Sequence, residues 1–457
     1  MPRILLLATT TGYQTRSFGE AAQRIGAELV FATDRCHLID DPWQDHAIPI
    51  RFYDEDASVA AILESAAARP LDGLLAVGDR PTVIAARVAE HLGLPWHPPA
   101  AAAAARHKLL TRERLRDAGL AVPWFVALSI DDPPSAISHQ PLTYPCVLKP
   151  VALSGSRGVM RADDAAGLGA AIARLQALVQ QPEVRAERNE AHEAALIEGF
   201  IPGREYALEG LMHHGRFHTL AMFDKPDPLD GPFFEETIYL TPSAASDDTQ
   251  RAIVDAVARA AHALGLHHGP IHAECRVNVH GVFVLEVAAR PIGGLCARAL
   301  RFSVSGVRSR FSRGDERENR DLTPESEAPE TPPATLEELL LRHALGEDPS
   351  LYHREVAASG VMMIPIPRRG IFRHVGGVDE ARAVPGVVEL HITAKADQLL
   401  VPLPEGASYL GFIFARDANP AAVDRALRQA HARLAFAIDP EWPLLAPGRI
   451  HYNRTHG

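Results

Sequence analysis

Cysteine is scarce in this chain. Its 457 residues include only Cys36, Cys146, Cys275 and Cys296, and no two of these form a C-x-x-C pair. Such isolated thiols argue against a disulfide framework and against a structural zinc site. They suit a reducing compartment, so we expect the protein to be cytoplasmic.

An excess of basic residues is also missing, as are long apolar runs. The formal net charge of −11 argues against non-specific binding of nucleic acid, although it allows a locally basic pocket. No stretch reaches the roughly 18 apolar residues that a membrane span needs. The apolar run at residues 4–8 is too short for a signal peptide. We therefore expect neither nucleic acid nor membrane as a partner.

The first hundred residues alternate between strand and helix patterns. Buried strands are predicted at residues 4–8, 27–32 and 74–78, and helices at 17–25 and 81–92, which indicates an open parallel α/β sheet. No G-x-G-x-x-G follows the first strand, so a dinucleotide site is not supported there. A chain of this length forms two to four domains, and we place the first, of α/β class, at residues 1–105.

The C-terminal part has a different pattern. A capping box at residues 335–338 predicts a helix over residues 336–344. Strand patterns at 361–366, 387–392 and 410–415, with a helix at 420–436, predict an α+β lobe over residues 346–457. Residues 305–334 and 181–193 are polar and contain few apolar side chains, so we expect poorly folded surface insertions there, disordered in the case of 305–334.

The most informative segment is the strand, glycine-rich loop and strand at residues 144–159. Lys149 ends the first strand and provides a fixed ammonium group. The loop Ser154-Gly155-Ser156-Arg157-Gly158 offers backbone N–H groups that can close over phosphates, and its glycines permit close approach and positive φ. A plain β-hairpin with a surface lysine is an equally good interpretation of this segment alone.

A second segment, residues 195–206, predicts two strands joined by a short hinge. The hinge backbone can recognise the edge of an adenine with one carbonyl and one N–H. Seven residues after Glu198, the carboxylate of Glu205 can accept hydrogen bonds from ribose hydroxyls. An exposed turn between two strands is the alternative.

A third segment carries two acids on neighbouring strands. Glu274 and Glu286 lie twelve residues apart across a turn at 278–281, so both can point to one face. Such hard oxygen ligands suit Mg²⁺, which also binds phosphate oxygens. Arg290 follows in a loop rich in glycine and proline, where its guanidinium can reach a phosphate or a carboxylate. The alternative is a salt-bridged surface ladder.

The order of these segments resembles that of the ATP-grasp superfamily from about Lys108 to Gly294. The resemblance implies an ATP-grasp domain over residues 106–345, with a mobile, β-rich lid at about 120–200 between the N-terminal α/β lobe and the C-terminal α+β lobe. It also implies ATP and Mg²⁺ as cofactors, with Mn²⁺ as a substitute. The residues it assigns are Lys108, Lys149, Ser154, Gly155, Ser156 and Gly158 for phosphates, Glu198 and Ile201 for adenine, Glu205 for ribose, and Glu274 and Glu286 for the metal.

Within that superfamily the chain is most similar to the dipeptide-forming L-amino-acid ligases. The Glu286-x-x-x-Arg290 spacing resembles theirs and implies that Arg290 contacts the acylphosphate and the substrate. Residues 223–226 and 231–236 resemble their substrate-facing segment, where Glu235 and Glu236 are candidates to bind or deprotonate the amine. His272 is a further substrate candidate, or a satisfied structural histidine. Ala288 stands where many members have an asparagine, which leaves the number of metals open.

The resemblance implies a ligase that joins a carboxylate to an amine, such as two amino acids, through an acylphosphate. Lys149 and Arg290 would neutralise charge during phosphoryl transfer, and ADP and phosphate would be released. A homodimer is a further expectation. Two alternatives stay open: a carboxylase or nucleotide-biosynthesis ligase with the same domain, and a non-catalytic ATP-binding regulator.

Overall fold

The N-terminal domain is built on a four-stranded parallel sheet. The computed structural model describes residues 1–9, 14–34, 47–132, 142–305 and 333–441. The first elements are β1 (Arg3–Ala8), α1 (Thr15–Ile25), β2 (Glu28–Thr33), β3 (Ile48–Pro49), α2 (Glu55–Ala68), β4 (Gly73–Val77), α3 (Thr82–Leu92) and α4 (Pro99–Arg106). The strand order is β3-β2-β1-β4, and each neighbouring pair is parallel.

The apolar sequence of β1 explains its central position. Residues 4–8 are all buried, as expected for a parallel strand that is covered on both faces. Helix α1 ends at Gly26, whose φ of 67° is the left-handed conformation of a helix C-cap. The predicted parallel α/β lobe is confirmed, and each of its three predicted strands is displaced by no more than one residue.

The second unit is an antiparallel sheet with one long helix. After α5 (Lys108–Asp117) come β5 (Phe125–Ser129), β6 (Cys146–Pro150), β7 (Met160–Ala162), α6 (Ala165–Val179), α7 (Pro182–Arg185) and β8 (Ala194–Gly199). The strand order is β5-β8-β6-β7. Leu168, Ile172 and Leu175 of α6 pack in one core with Leu148 of β6. We call this unit the lid.

The expectation of a poorly folded insertion at 181–193 is wrong. These residues form α7 and a 3₁₀ turn over Glu190–Glu193. Val184 is fully buried in the core of the lid and His192 is 5% exposed. The two buried side chains anchor a segment that is otherwise polar.

An eight-stranded sheet forms the centre of the protein. The remaining elements are β9 (Arg204–His213), β10 (Arg216–Asp224), β11 (Ile238–Thr241), α8 (Asp247–Leu264), β12 (Gly269–Asn278), β13 (Gly281–Ala288), β14 (Phe302–Val304), α9 (Leu336–Ala344), β15 (Tyr352–Arg354), β16 (Ala358–Ile364), β17 (Gly370–Gly376), α10 (Val378–Arg382), β18 (Val387–Ile392), β19 (Leu399–Leu400), β20 (Gly411–Asp417), α11 (Pro420–His431) and β21 (Ala435–Asp439). The strand order is β13-β12-β9-β10-β11-β16-β20-β18. The sheet therefore continues from the predicted ATP-grasp domain into the predicted C-terminal lobe.

The predicted end of the last helix is wrong. The helix predicted at 420–436 stops at His431, and residues 435–439 form β21 instead. This strand pairs with β17 in a small three-stranded sheet, β19-β17-β21. Pairing with β17 satisfies its backbone groups, so tertiary contacts override the helical composition here.

The predicted insertion at 305–334 lies almost wholly outside the described residues, because positions 306–332 are not among them. Its two ends are close together: Phe302 and Ala334 exchange backbone hydrogen bonds of 2.9 and 2.8 Å. Immediately afterwards α9 begins at the predicted residue, and the Thr335 hydroxyl accepts from the Glu338 N–H. No helix among the described residues is both long and apolar enough to cross a membrane.

Helix α9 packs so closely on β4 that Gly73 cannot carry a side chain without movement. A Cβ added at Gly73 would lie 2.5 Å from the carbonyl oxygen of Ala344. We expect Gly73→Ala to lower the free energy of unfolding by about 1–3 kcal/mol, the usual cost of overpacking. The measurement is urea unfolding followed by circular dichroism.

The matched control is Gly19→Ala in α1, where the added Cβ has no atom of another described element within 4 Å. Alanine favours a helix over glycine by about 0.5–1 kcal/mol, so this variant should be as stable as the wild type or more stable. Equal stability of the wild type and Gly73→Ala would contradict the close packing of α9 on β4.

Candidate functional site

A cavity of about 490 Å³ lies where the lid, the central sheet, the N-terminal domain and the C-terminal strands meet. Most of the residues predicted from the sequence line it. These are Lys108, Lys149, Ser154, Gly155, Ser156, Glu198, Ile201, Glu205, Glu236, His272, Glu274, Glu286 and Arg290. The lysine of the lid therefore shares one cavity with the two acids of the central sheet.

Gly158 and Glu235 are the two predicted residues that do not line this cavity. The Gly158 N–H donates to the carbonyl oxygen of Pro404 at 2.8 Å. A Cβ at Gly158 would lie 3.0 Å from Leu175 and from Leu178 of α6. Its positive φ of 75° and its close packing explain the glycine without any phosphate contact.

Lys149 is held by a buried ion-pair network at the end of β6. Its ammonium pairs with Glu198, and Glu198 also accepts two hydrogen bonds from Arg112, at 2.7 and 3.2 Å. Burial opposes ionisation of Glu198, but Arg112 and Lys149 outweigh it and lower its pKa to about 2. Burial lowers the pKa of Lys149, although Glu198 acts in the opposite direction. The Glu198 carboxylate thus fixes the lysine, and its oxygens are engaged by Lys149 and Arg112.

The second lysine lies beside the glycine-rich loop. Lys108 Nζ donates to the carbonyl oxygen of Leu153 at 2.7 Å, immediately before the loop. Within the loop, Gly155 and Ser156 have positive φ values of 66° and 55°. The loop thus has a turn conformation, and successive backbone N–H groups in a turn can form a concavity that binds an anion.

The two predicted metal ligands are directly opposite each other on neighbouring strands. Glu274 of β12 and Glu286 of β13 are partners in the register, next to a bulge. The Glu286 carboxylate makes no hydrogen bond to any described residue, whereas Glu274 accepts from Lys225 at 2.9 Å and from the Tyr239 hydroxyl at 3.3 Å. Ala288 is buried opposite His272 and contributes no ligand atom.

Lys225 is the centre of an acidic cluster that the sequence did not reveal. Its buried ammonium contacts Glu205 at 2.8 Å, Glu274 and also Glu236. One oxygen from each of the three carboxylates lies within 4.8 Å of the others. Burial opposes the charge on Lys225, but the three carboxylates outweigh it and hold its pKa well above the ordinary value.

The surroundings of Glu236 in this cluster disfavour its ionisation. Burial and the neighbouring Glu274 raise its pKa to about 7, despite Lys225. Glu205 is held differently, because Arg276 Nε also donates to it at 2.8 Å. The only sequence signal for Lys225 was its position in a segment that resembles the substrate-facing one of the L-amino-acid ligases.

Arg290 joins the cavity to the N-terminal domain. Its guanidinium donates to both oxygens of Asp79, at 2.9 and 3.4 Å, in the turn between β4 and α3. Burial opposes the charges of this pair, but each partner stabilises the other, so the pKa of Asp79 is lowered and that of Arg290 is raised. No sequence pattern indicated Asp79 as the partner of Arg290.

His272 is fixed between two carboxylates. Its Nδ1 is 3.1 Å from the fully buried Glu209, and its Nε2 is 3.7 Å from Glu274. Burial alone would lower the pKa of His272, but hydrogen bonds to Glu209 and Glu274 raise it to about 9. Glu209 also accepts from the Ile292 N–H at 3.1 Å. The ring is therefore a cation in the cavity at neutral pH, with Glu209 as its structural support.

Three families of protein domain match consecutive parts of the chain. An ATP-grasp N-terminal domain matches residues 19–96, an ATP-grasp domain matches 142–299, and the L-amino acid ligase C-terminal domain 2 matches 362–439. Among solved structures, an L-amino acid ligase from Bacillus licheniformis superposes with a TM-score of 0.76 at 25% identity, covering 96% of this chain and 99% of that one.

Three curated relatives match at 22% to 29% identity. The uncharacterized protein y4rH of Sinorhizobium fredii is 22% identical over 96% of this chain and 84% of its own length. Alanine–anticapsin ligase of Bacillus subtilis is 27% identical over 55% of this chain, and carnosine synthase 1 of Gallus gallus is 29% identical over 54%. The matches span 54% and 27% of the lengths of those two proteins.

The raised pKa of His272 has a consequence for stability. A histidine whose pKa is about 9 in the folded state and about 6.5 in the unfolded state stabilises the fold fully below pH 6.5. This contribution is lost as the pH rises through 9. We expect the difference in unfolding free energy between the wild type and His272→Gln to shrink from pH 6.5 to pH 9.5, as measured by urea unfolding.

His280→Gln serves as the control for this titration, because His280 is exposed in the turn between β12 and β13. Its difference from the wild type should stay flat over the same range. A His272→Gln difference that grows towards pH 9.5 would contradict the assignment of a charged imidazole.

Proposed function

We propose that this chain, which belongs to the ATP-grasp superfamily and carries the C-terminal domain of the L-amino acid ligases, joins two amino acids through an acylphosphate with release of ADP and phosphate. As an ATP-grasp ligase it forms a carbon–nitrogen bond. The observation that supports the proposal most directly is that Lys149, Glu274 and Glu286 line one cavity. A protein that only binds adenine needs no such combination of cations and metal-binding acids.

The lid side of the cavity suits a nucleoside triphosphate. Lys108 and Lys149 offer ammonium groups beside the loop at residues 154–156, and we assign all of these to the phosphates. Val147, Phe200 and Leu285 contribute apolar walls to the same cavity. At the hinge, the N–H groups of Gly199 and Phe200 are already bound to Trp124 and Pro145.

Ile201 is therefore the hinge residue whose backbone N–H is available to adenine. No described residue accepts a hydrogen bond from its N–H, whereas its carbonyl oxygen accepts from Arg276 at 2.7 Å. Glu205 retains capacity for ribose hydroxyls, because a carboxylate has about four acceptor positions and two of them are used by Lys225 and Arg276. We assign Glu198 to the positioning of Lys149.

The acid pair fits a hard divalent cation. Glu286 has unused acceptor oxygens and faces the same cavity as Glu274, and carboxylate oxygens are the ligands that Mg²⁺ prefers. We propose that these two residues hold Mg²⁺, or Mn²⁺ in its place. The ion would neutralise negative charge on the triphosphate.

Arg290 and His272 supply positive charge at the other end of the cavity. The substrate carboxylate oxygen attacks the γ-phosphorus as the bond to the ADP oxygen breaks, and these two cations stabilise the charge on the transferred group. Asp79 binds one edge of the Arg290 guanidinium, which leaves further N–H groups of that guanidinium for the substrate. His272 thus takes the role of a second cation, supported by Glu209.

The second half-reaction needs a proton acceptor, and Glu236 suits this role. The incoming ammonium must lose a proton before its nitrogen attacks the acyl carbon, the C–N bond forms and phosphate leaves. A carboxylate with a pKa of about 7 lies close to the operating pH, where general bases are most effective. Glu235 does not line the cavity, so we assign the role to Glu236 alone.

The choice of substrates is tested by ADP release. With ATP and Mg²⁺ present, we expect pairs of amino acids to stimulate ADP formation well above the rate with either amino acid alone, because the acylphosphate needs an amine acceptor. A coupled assay over a matrix of amino-acid pairs measures this. Stimulation by bicarbonate without an amine would favour a carboxylase, and steady ADP release without any acceptor would favour a non-ligase.

Glu286→Gln tests the metal assignment. The amide keeps the shape but loses the charge, so we expect kcat to fall by about 10²-fold or more while the circular dichroism spectrum is unchanged. Lys149→Ala should likewise remove turnover. Glu64→Gln, an exposed residue of α2, is the control and should retain the wild-type rate. A near-normal rate in Glu286→Gln would remove Glu286 from the site.

A further inference from the structure

A group of histidines lies at one end of the central sheet, outside the nucleotide cavity. His213 ends β9, His214 is in the two-residue turn before β10, and His268 precedes β12. One ring nitrogen from each lies within 4.8 Å of the others. His343 of α9 stacks on His268, with ring centroids 4.3 Å apart and an interplanar angle of 13°.

The backbone holds these rings together. His214 and Gly215 have positive φ values of 48° and 82°, as the central residues of a type I′ hairpin turn do. The Gly215 N–H donates to the carbonyl oxygen of His267 at 2.8 Å, so the turn is tied to the segment that carries His268. The three histidines therefore have fixed backbone positions relative to one another.

The hydrogen bonding of the cluster is incomplete in a way that indicates a ligand. His268 is 2% exposed, and its Nδ1 has no hydrogen-bond partner among the described residues. A buried polar atom without a partner costs about 1–3 kcal/mol, so the position calls for an occupant. Among the described residues, the group contains three histidine nitrogens and no carboxylate.

His343 positions one of the three rings. Its Nε2 is 3.2 Å from Nδ1 of His213, which leaves Nε2 of His213 available. Metal-binding histidines usually have their second ring nitrogen fixed in this way.

We propose that His213, His214 and His268 form a site for a divalent transition-metal ion of the Zn²⁺ class, with His343 as the positioning residue. Three imidazole nitrogens suit Zn²⁺, Ni²⁺ or Cu²⁺ rather than Mg²⁺ or Ca²⁺, which prefer oxygen. Zinc bonds of about 2.1 Å require the nitrogens to approach more closely than in the metal-free cluster. The exposed His214 ring can make this movement, and water would be the fourth ligand.

The metal would connect parts of the protein that are distant in the chain. His213 and His214 belong to the β9–β10 hairpin, His268 to the connection from α8 to β12, and His343 to the helix that packs on α1 and β4. Occupancy would thus fix the β9–β10 hairpin to the segment before β12, with α9 held beside them through His343. This site is independent of the proposed ligase activity.

The test is calorimetric titration of the full chain, freed of metal by a chelator, with Zn²⁺ in excess Mg²⁺ to occupy the carboxylates. We expect binding of one Zn²⁺ per chain and at least a tenfold weaker affinity in His214→Ala. Titration with Co²⁺ should give visible absorption bands of a four-coordinate ion. Zn²⁺ should also raise the melting temperature, since it binds only the folded site.

His280→Ala is the matched control, because it removes an exposed histidine from another hairpin turn, and it should bind Zn²⁺ as the wild type does. If His214→Ala fails to fold, His213→Asn with the same readouts replaces it. The proposal is overturned if the wild type binds no stoichiometric Zn²⁺, or if His214→Ala and His280→Ala bind it equally.

Discussion

The concentration of carboxylates around one buried ammonium is the constraint on which the site depends. Two like charges 4 Å apart repel by about 4 kcal/mol in a partly screened environment, and Glu205, Glu236 and Glu274 are near this separation. Lys225 offsets that repulsion from its buried position among them. Without this cation, the mutual repulsion of the three acids would favour a wider separation and a different lining of the cavity.

The same principle organises the rest of the cavity. Lys149 is held by Glu198, Arg290 by Asp79 and His272 by Glu209. Each of these three cations is thus held from behind by a carboxylate, and each pair joins different elements of the fold. Fixed charges of this kind need little reorganisation when charge develops in a reaction, which is why their supports matter as much as the cations themselves.

The sequence predicted features that depend on local patterns. The parallel strands could be predicted because apolar runs indicate fully buried strands. Helix α9 begins where its capping box predicted. The partnership of Glu274 and Glu286 followed from the turn between their strands. Features that depend on tertiary contacts were missed, such as Asp79 beside Arg290 and the clustering of His213 with His343. Residues that are distant in the chain and carry no motif give no signal before the fold is known.

The continuity of the central sheet has a consequence for how this chain can be divided. Strand β11 pairs on one side with β10 and on the other with β16, which lies beyond the insertion. A fragment that ended before β16 would leave a row of unpaired backbone groups along β11, an edge that attracts other chains. Exchange of C-terminal parts between related enzymes would therefore have to carry the matching strand register with it, and not only the residues that face the substrate.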